Sequence, residues 1–115
     1  MDKVISYEVN EGFSSGTSLQ GYVSTTYDRL VELFGQPTYT DGRPYEKVNA
    51  EWVLTVKVQD GDDQDDWCYH DVTIYNWKTG SVPTDEYSWH VGGRSFWAQD
   101  YVEQILNNNL KPENV

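Results

Sequence analysis

The chain reads as a single α+β domain. Three observations carry that reading. Apolar residues alternate over 48–58, alternation recurs over 67–77 and 87–91, and apolar residues at helical spacing flank this block on both sides. Consecutive strands with short connections pair antiparallel, so residues 48–91 predict a three-stranded meander. One N-terminal strand and two amphipathic helices, packed on one face and leaving the other to solvent, complete the expected architecture. At 115 residues the chain fits one domain and buries a modest core without metal or disulfide staples.

The N-terminal strand is predicted over 4–9. Val4, Ser6 and Glu8 alternate there with Ile5, Tyr7 and Val9, and the second set is expected to be the buried one. Residues 13–18 are a small polar loop, and 19–23 fit either a strand or an extended entry to a helix. Thr25 or Thr26 suits an N-cap, because its hydroxyl can accept from a free first-turn N–H. A helix over 27–34 then presents Leu30, Val31, Leu33 and Phe34. Gly35 is expected to take the left-handed cap conformation, and Pro37 blocks continuation. Residues 36–45 form a turn-rich connection.

Within the meander, Trp52, Leu54, Val56 and Val58 share one face of the first strand, and Glu51, Val53, Thr55 and Lys57 share the other. On the second strand Val72 and Ile74 point inward, while Tyr69, Asp71, Thr73, Tyr75 and Trp77 form a mixed aromatic and polar face. On the third, Tyr87, Trp89 and Val91 oppose Ser88 and His90. Gly92-Gly93 is expected to break that strand. Ser95 is expected to cap a helix over 96–107 with a stripe of Trp97, Tyr101, Val102, Ile105 and Leu106.

The formal charge is −11, from 19 acidic and 8 basic residues. Such a surface repels nucleic-acid backbones and anionic membranes, so neither is expected as a direct partner. It serves solubility, or it competes for a nucleic-acid site by presenting carboxylates where phosphates sit. Cys68 is the single cysteine, which excludes an internal disulfide. Neither a signal peptide nor a membrane span is apparent, and the expected location is a reducing cytoplasm.

Candidate chemistry is sparse. Cys68 and His70 project to one face of a strand, and a paired strand is able to bring His90 beside them, but a thiol–imidazole pair or a metal site needs more than this. The aspartates Asp60, Asp62, Asp63, Asp65 and Asp66 suggest a calcium loop. Position 6 of such a loop, which requires glycine, is Asp65 here, and the flanks are strands rather than helices. No nucleophile elbow, P-loop or dinucleotide fingerprint occurs. The expectation is therefore a protein without catalytic residues, metal or cofactor.

A dispersed set suggests binding instead. Ser18, Gln20 and Tyr22 precede the first helix; Tyr75, Trp77 and Lys78 end the second meander strand; Trp89, His90, Gly92, Gly93 and Arg94 end the third. Aromatic faces, amide and cationic donors, and exposed backbone N–H groups suit a flat anionic ligand such as a nucleotide. From these, Gln20, Trp77, Lys78, Trp89, His90, Gly92, Gly93 and Arg94 are the candidate ligand-binding residues. In an antiparallel meander they lie at different strand ends, so loops must fold over for all to meet. The competing reading makes Trp77 and Trp89 cross-strand packing residues.

At Ser18-Leu-Gln-Gly-Tyr, Tyr27-Asp-Arg-Leu-Val-Glu-Leu-Phe-Gly-Gln-Pro, Glu51-Trp, Ile74-Tyr-Asn-Trp-Lys-Thr-Gly and Trp89-His-Val-Gly-Gly the chain resembles a family of small acidic bacteriophage proteins. The resemblance covers most of residues 16–106 and brings no activity and no catalytic residues with it. It implies a viral protein in the host-cell cytoplasm, and small phage proteins without catalytic motifs often act in counter-defence. Two partners follow as expectations. One is a nucleotide-type immune signal, sequestered by the ligand-binding set. The other is a basic host protein, inhibited through Asp60, Asp62, Asp63, Asp65 and Asp66. Self-association stays open.

Overall fold

A computed structural model describes residues 3–9, 16–40, 47–62 and 65–112. Eight elements follow one another: β1 (Lys3–Val9), β2 (Ser18–Thr25), α1 (Tyr27–Phe34), β3 (Tyr39–Thr40), β4 (Ala50–Gln59), β5 (Trp67–Tyr75), β6 (Tyr87–Gly93) and α2 (Ala98–Asn108). The strands form one antiparallel sheet in the order β1-β4-β5-β6-β2, with β3 also paired to β4. Both helices pack on the same face. The fold is α+β as expected, with the β4-β5-β6 meander at its centre.

The sheet is larger than the four strands predicted. The 19–23 stretch belongs to β2, which pairs with β6. β3 emerges from the turn-rich connection as two residues beside the start of β4. A two-residue bridge leaves no alternation to read in the sequence.

On β1 the predicted faces are corrected. The register shifts between Val4 and Ser6, so Val4 joins Tyr7 and Val9 in the core and Ile5 is left 41% exposed. A bulge inserts one residue and breaks the period of two on which the prediction rests.

The core lies between the sheet and the helices. Trp52, Leu54, Val56 and Val58 of β4, Val72 and Ile74 of β5, and Trp89 and Val91 of β6 meet Leu30 and Leu33 of α1 and Tyr101, Val102 and Ile105 of α2. The α1 ends are as predicted in kind. Thr26 Oγ1 accepts from the Arg29 N–H at 3.1 Å, and the Gly35 N–H donates to Val31 O at 2.8 Å. Gly35 has φ 78° and ψ −163°, however, which is not the left-handed helical well but a region open only to glycine.

At the other helix two expectations fail together. Gly92-Gly93 continues β6 rather than breaking it, and α2 starts at Ala98 with Trp97 at its N-cap. Ser95 Oγ accepts from the Trp97 N–H at 3.1 Å. That bond closes a tight turn before the helix, so Trp97 leaves the buried stripe. α2 crosses the sheet to both outer strands. Gln99 Oε1 accepts from the Tyr22 N–H of β2 at 3.1 Å, and Gln104 Oε1 accepts from the Val4 N–H of β1 at 2.9 Å. No described helix is long and apolar enough to cross a membrane.

Candidate functional site

The face of the sheet away from the helices carries one row of side chains that runs across five strands. Tyr39 on β3 pairs with Glu51 on β4, Glu51 with Tyr75 on β5, Tyr75 with His90 on β6, and His90 with Tyr22 on β2. Alternation on each strand sends all five to this open face. Within the row the Tyr22 and His90 rings meet edge-on at 4.9 Å, and Tyr75 and His90 lie 5.3 Å apart at 31°. Gly92 makes room for this arrangement. A Cβ there would stand 2.5 Å from Thr73 Oγ1 and 3.4 Å from the Tyr75 ring, so a side chain would collide with the threonine hydroxyl beside the tyrosine.

Trp77, just past the end of β5, adds its ring to the row. It lies 6.3 Å from Tyr75 and 6.4 Å from His90, and remains 40% exposed. Two lysines approach it, with Lys47 Nζ at 5.8 Å and Lys78 Nζ at 5.9 Å from the ring centroid, the range of a cation–π contact. The backbone places both, because the Lys78 N–H donates to Lys47 O at 2.7 Å. Lys78 has φ 55°, a conformation that disfavours every side chain with a Cβ.

The turn that holds Lys78 there is fastened by Asn76, which is fully buried. Its Oδ1 accepts from the N–H groups of Asn49 and Ala50 at 2.8 and 2.9 Å. Its Nδ2 donates to Asn49 Oδ1 at 3.0 Å and to Thr79 Oγ1 at 2.6 Å. One side chain thus ties the strand entry that carries Lys47 to the turn that carries Trp77 and Lys78.

The electrostatics of the row come from partial burial in a low-dielectric setting, which penalises charge. Burial raises the pKa of Glu51. It also raises that of Tyr75, with smaller upward contributions from Glu51 and Tyr22. Burial lowers the pKa of His90 and so favours the neutral ring. His90 Nδ1 is a buried atom without a hydrogen-bond partner among the described residues.

The predicted ligand set divides into three groups. Trp77, Lys78, His90 and Gly92 come together on the open face. Trp89 does not: it is fully buried on the helix side, its indole N–H donates to Thr25 O at 3.2 Å, and it packs on Trp52. Gly93 faces the same way, with Ala98 where its Cβ would be. Strand alternation separates both from His90 and removes them from the site. Gln20 and Arg94 lie at the far end of β6. Gln20 Nε2 donates to Gly93 O at 3.0 Å, and Arg94 pairs with Asp71 at 3.3 Å. Tyr39, Glu51 and Lys47 complete the site without a signal in the sequence: the β3–β4 and β4–β5 registers place the first two, and the Lys78–Lys47 backbone bond places the third.

Two other sequence candidates are resolved by geometry. Cys68 Sγ lies 3.3 Å from the His70 imidazole, as expected for one strand face, but His90 is on the opposite face and does not join them. His70 stacks on Tyr101 instead. Among the described residues no group of three or more His, Cys, Asp or Glu side chains is placed to hold a metal ion. In the acidic hairpin Asp60, Asp62, Asp65 and Asp66 are exposed, and Asp63 lies outside the described residues.

Comparison of the chain with protein-family models, with curated proteins and with solved structures finds no match.

Proposed function

We propose that the protein is a non-catalytic binding protein that captures a flat, anionic ligand of nucleotide type on the open face of its sheet and withholds it. The observation that carries this reading is the convergence of two lysines on a half-exposed tryptophan at the end of an aromatic row, in a chain of net charge −11. Stacking on Trp77 or Tyr75 suits a base, which has a π-face whatever its identity. Lys47 and Lys78 suit its phosphate. Glu51, partly exposed in the same row, offers an acceptor to an amino or imino edge. The resemblance to small acidic phage proteins supports reading the ligand as an immune signal and the role as counter-defence in the host cytoplasm.

Thermal melting against a panel of mono-, di- and cyclic nucleotides tests the reading. A ligand that binds only the folded state at about a hundred times its Kd adds about 2.7 kcal/mol and raises Tm by several degrees. Trp77→Ala should abolish that shift while the protein still folds, because the ring is not part of the core. A panel without any shift at millimolar nucleotide would discard the proposal.

A second reading rests on the hairpin. Trp67 and Tyr69 are exposed beside the four described aspartates and meet edge-on at 5.3 Å. An acidic tip with adjacent aromatics suits a basic protein surface, and such docking would be steered by charge and weakened by salt. Loss of a host partner on conversion of Asp60, Asp62, Asp65 and Asp66 to Asn would favour it over ligand capture.

A further inference from the structure

A separate cleft of about 300 Å³ opens on the helix side, where β6 turns into α2. It is lined by Gln20, Phe96, Trp97, Gln99, Asp100 and Glu103. Its chemistry is the reverse of the open face: aromatic and carboxylate, with no lysine or arginine among the lining residues. Phe96 is 79% exposed and Trp97 50%. Their rings meet edge-on at 5.5 Å, and the Ser95 hydroxyl fixes the backbone that presents Trp97. Two large neighbouring apolar side chains held out of the core mark an interaction surface rather than a packing residue left over.

The carboxylates are held in place by amides of their own helix. Gln104 Nε2 donates to Asp100 Oδ2 at 2.9 Å, and Gln99 Nε2 donates to Glu103 Oε1 at 3.3 Å. Gln99 is fixed in turn. Its carbonyl accepts from the Tyr22 N–H, and its side chain lies on Gly21, where any Cβ would collide with its Oε1. Each carboxylate keeps further acceptor positions, since an ionised carboxylate has about four lone-pair sites.

We propose that this cleft receives the guanidinium of an arginine presented by a basic partner protein. A planar cation stacks on an indole and forks onto a carboxylate at the same time, which an ammonium cannot do. The aliphatic stem of the arginine would cover Phe96. The net charge of −11 steers a basic segment toward the molecule. This site is independent of the open face and stands or falls separately from ligand capture there.

The test is titration of the full 15N-labelled chain with a blocked hexa-arginine peptide, followed by amide and indole cross-peaks. The Trp97 indole and Gln99 side-chain amide peaks should move together. A hexalysine peptide of equal charge should bind about fivefold more weakly. Trp97→Ala combined with Asp100→Asn should weaken hexa-arginine about tenfold. Phe96→Ser, at a position with little packing to lose, should weaken it by about threefold and serves if the double variant does not fold. Shifts confined to the acidic hairpin, equal affinity for the two peptides, or variants that bind as the parent would each overturn the proposal.

Discussion

On the helix-covered face the indole N–H groups of Trp52 and Trp89 both end on backbone carbonyls, those of Gly35 and Thr25. On the open face Trp77 keeps two-fifths of its surface in water and His90 Nδ1 ends on nothing among the described residues. Both faces use Trp and Tyr in edge-on contacts near 5–6 Å. Exposure is what separates them. A buried ring whose polar tip is already bonded adds packing alone, whereas a ring left partly in water keeps surface for another molecule. Aromatic content by itself therefore does not identify a site.

The largest test of this contrast is Trp89→Ala, which opens a core cavity and should cost about 3–5 kcal/mol in urea unfolding. A loss below about 1 kcal/mol would mean that the covered face is not the packed one. Asn76→Ala should come next. It strips the acceptor from two buried N–H groups and should cost about 2–3 kcal/mol. It should also release Lys47 and Lys78 from Trp77, so any nucleotide-induced rise in Tm should shrink with it.

Lys78→Gly sharpens the comparison by moving stability and binding in opposite directions. Removing the Cβ relieves the positive φ and should add about 0.5–1 kcal/mol. Removing the cation should weaken an anionic ligand. A destabilised Lys78→Gly would show that the turn does not strain this residue.

The smallest effect is in pH. Burial holds His90 below its ordinary value of 6.5, so the unfolded chain takes up a proton more readily than the folded one. The contribution of His90 is intact above that value and is lost as pH falls through it toward the lower folded pKa. His90→Gln should flatten the dependence of Tm on pH in that window, with little change at pH 8.

The meander and its faces are legible in the sequence because β4, β5 and β6 keep strict alternation, whereas the meeting of Trp77 with His90 depends on the β5–β6 register. Legibility fails where alternation is interrupted or too short. The β1 bulge moved Val4 inward, and β3 has only two residues. Trp89 was misplaced for another reason. Proximity along the chain groups it with His90, but adjacent strand residues point to opposite faces. Glu51 and Lys47 were not readable, since only the pairing with β5 and the Lys78–Lys47 backbone bond bring them to the row.

Capture as proposed would require the protein to accumulate to the level of its ligand, and crowding exposes any sheet with open margins to polymerisation. The two glutamines that α2 sends to Val4 and Tyr22 occupy donors on both outermost strands. A helix that began as a cover for the core thereby also takes up one pairing position on each margin, which works against a second copy adding its strand there.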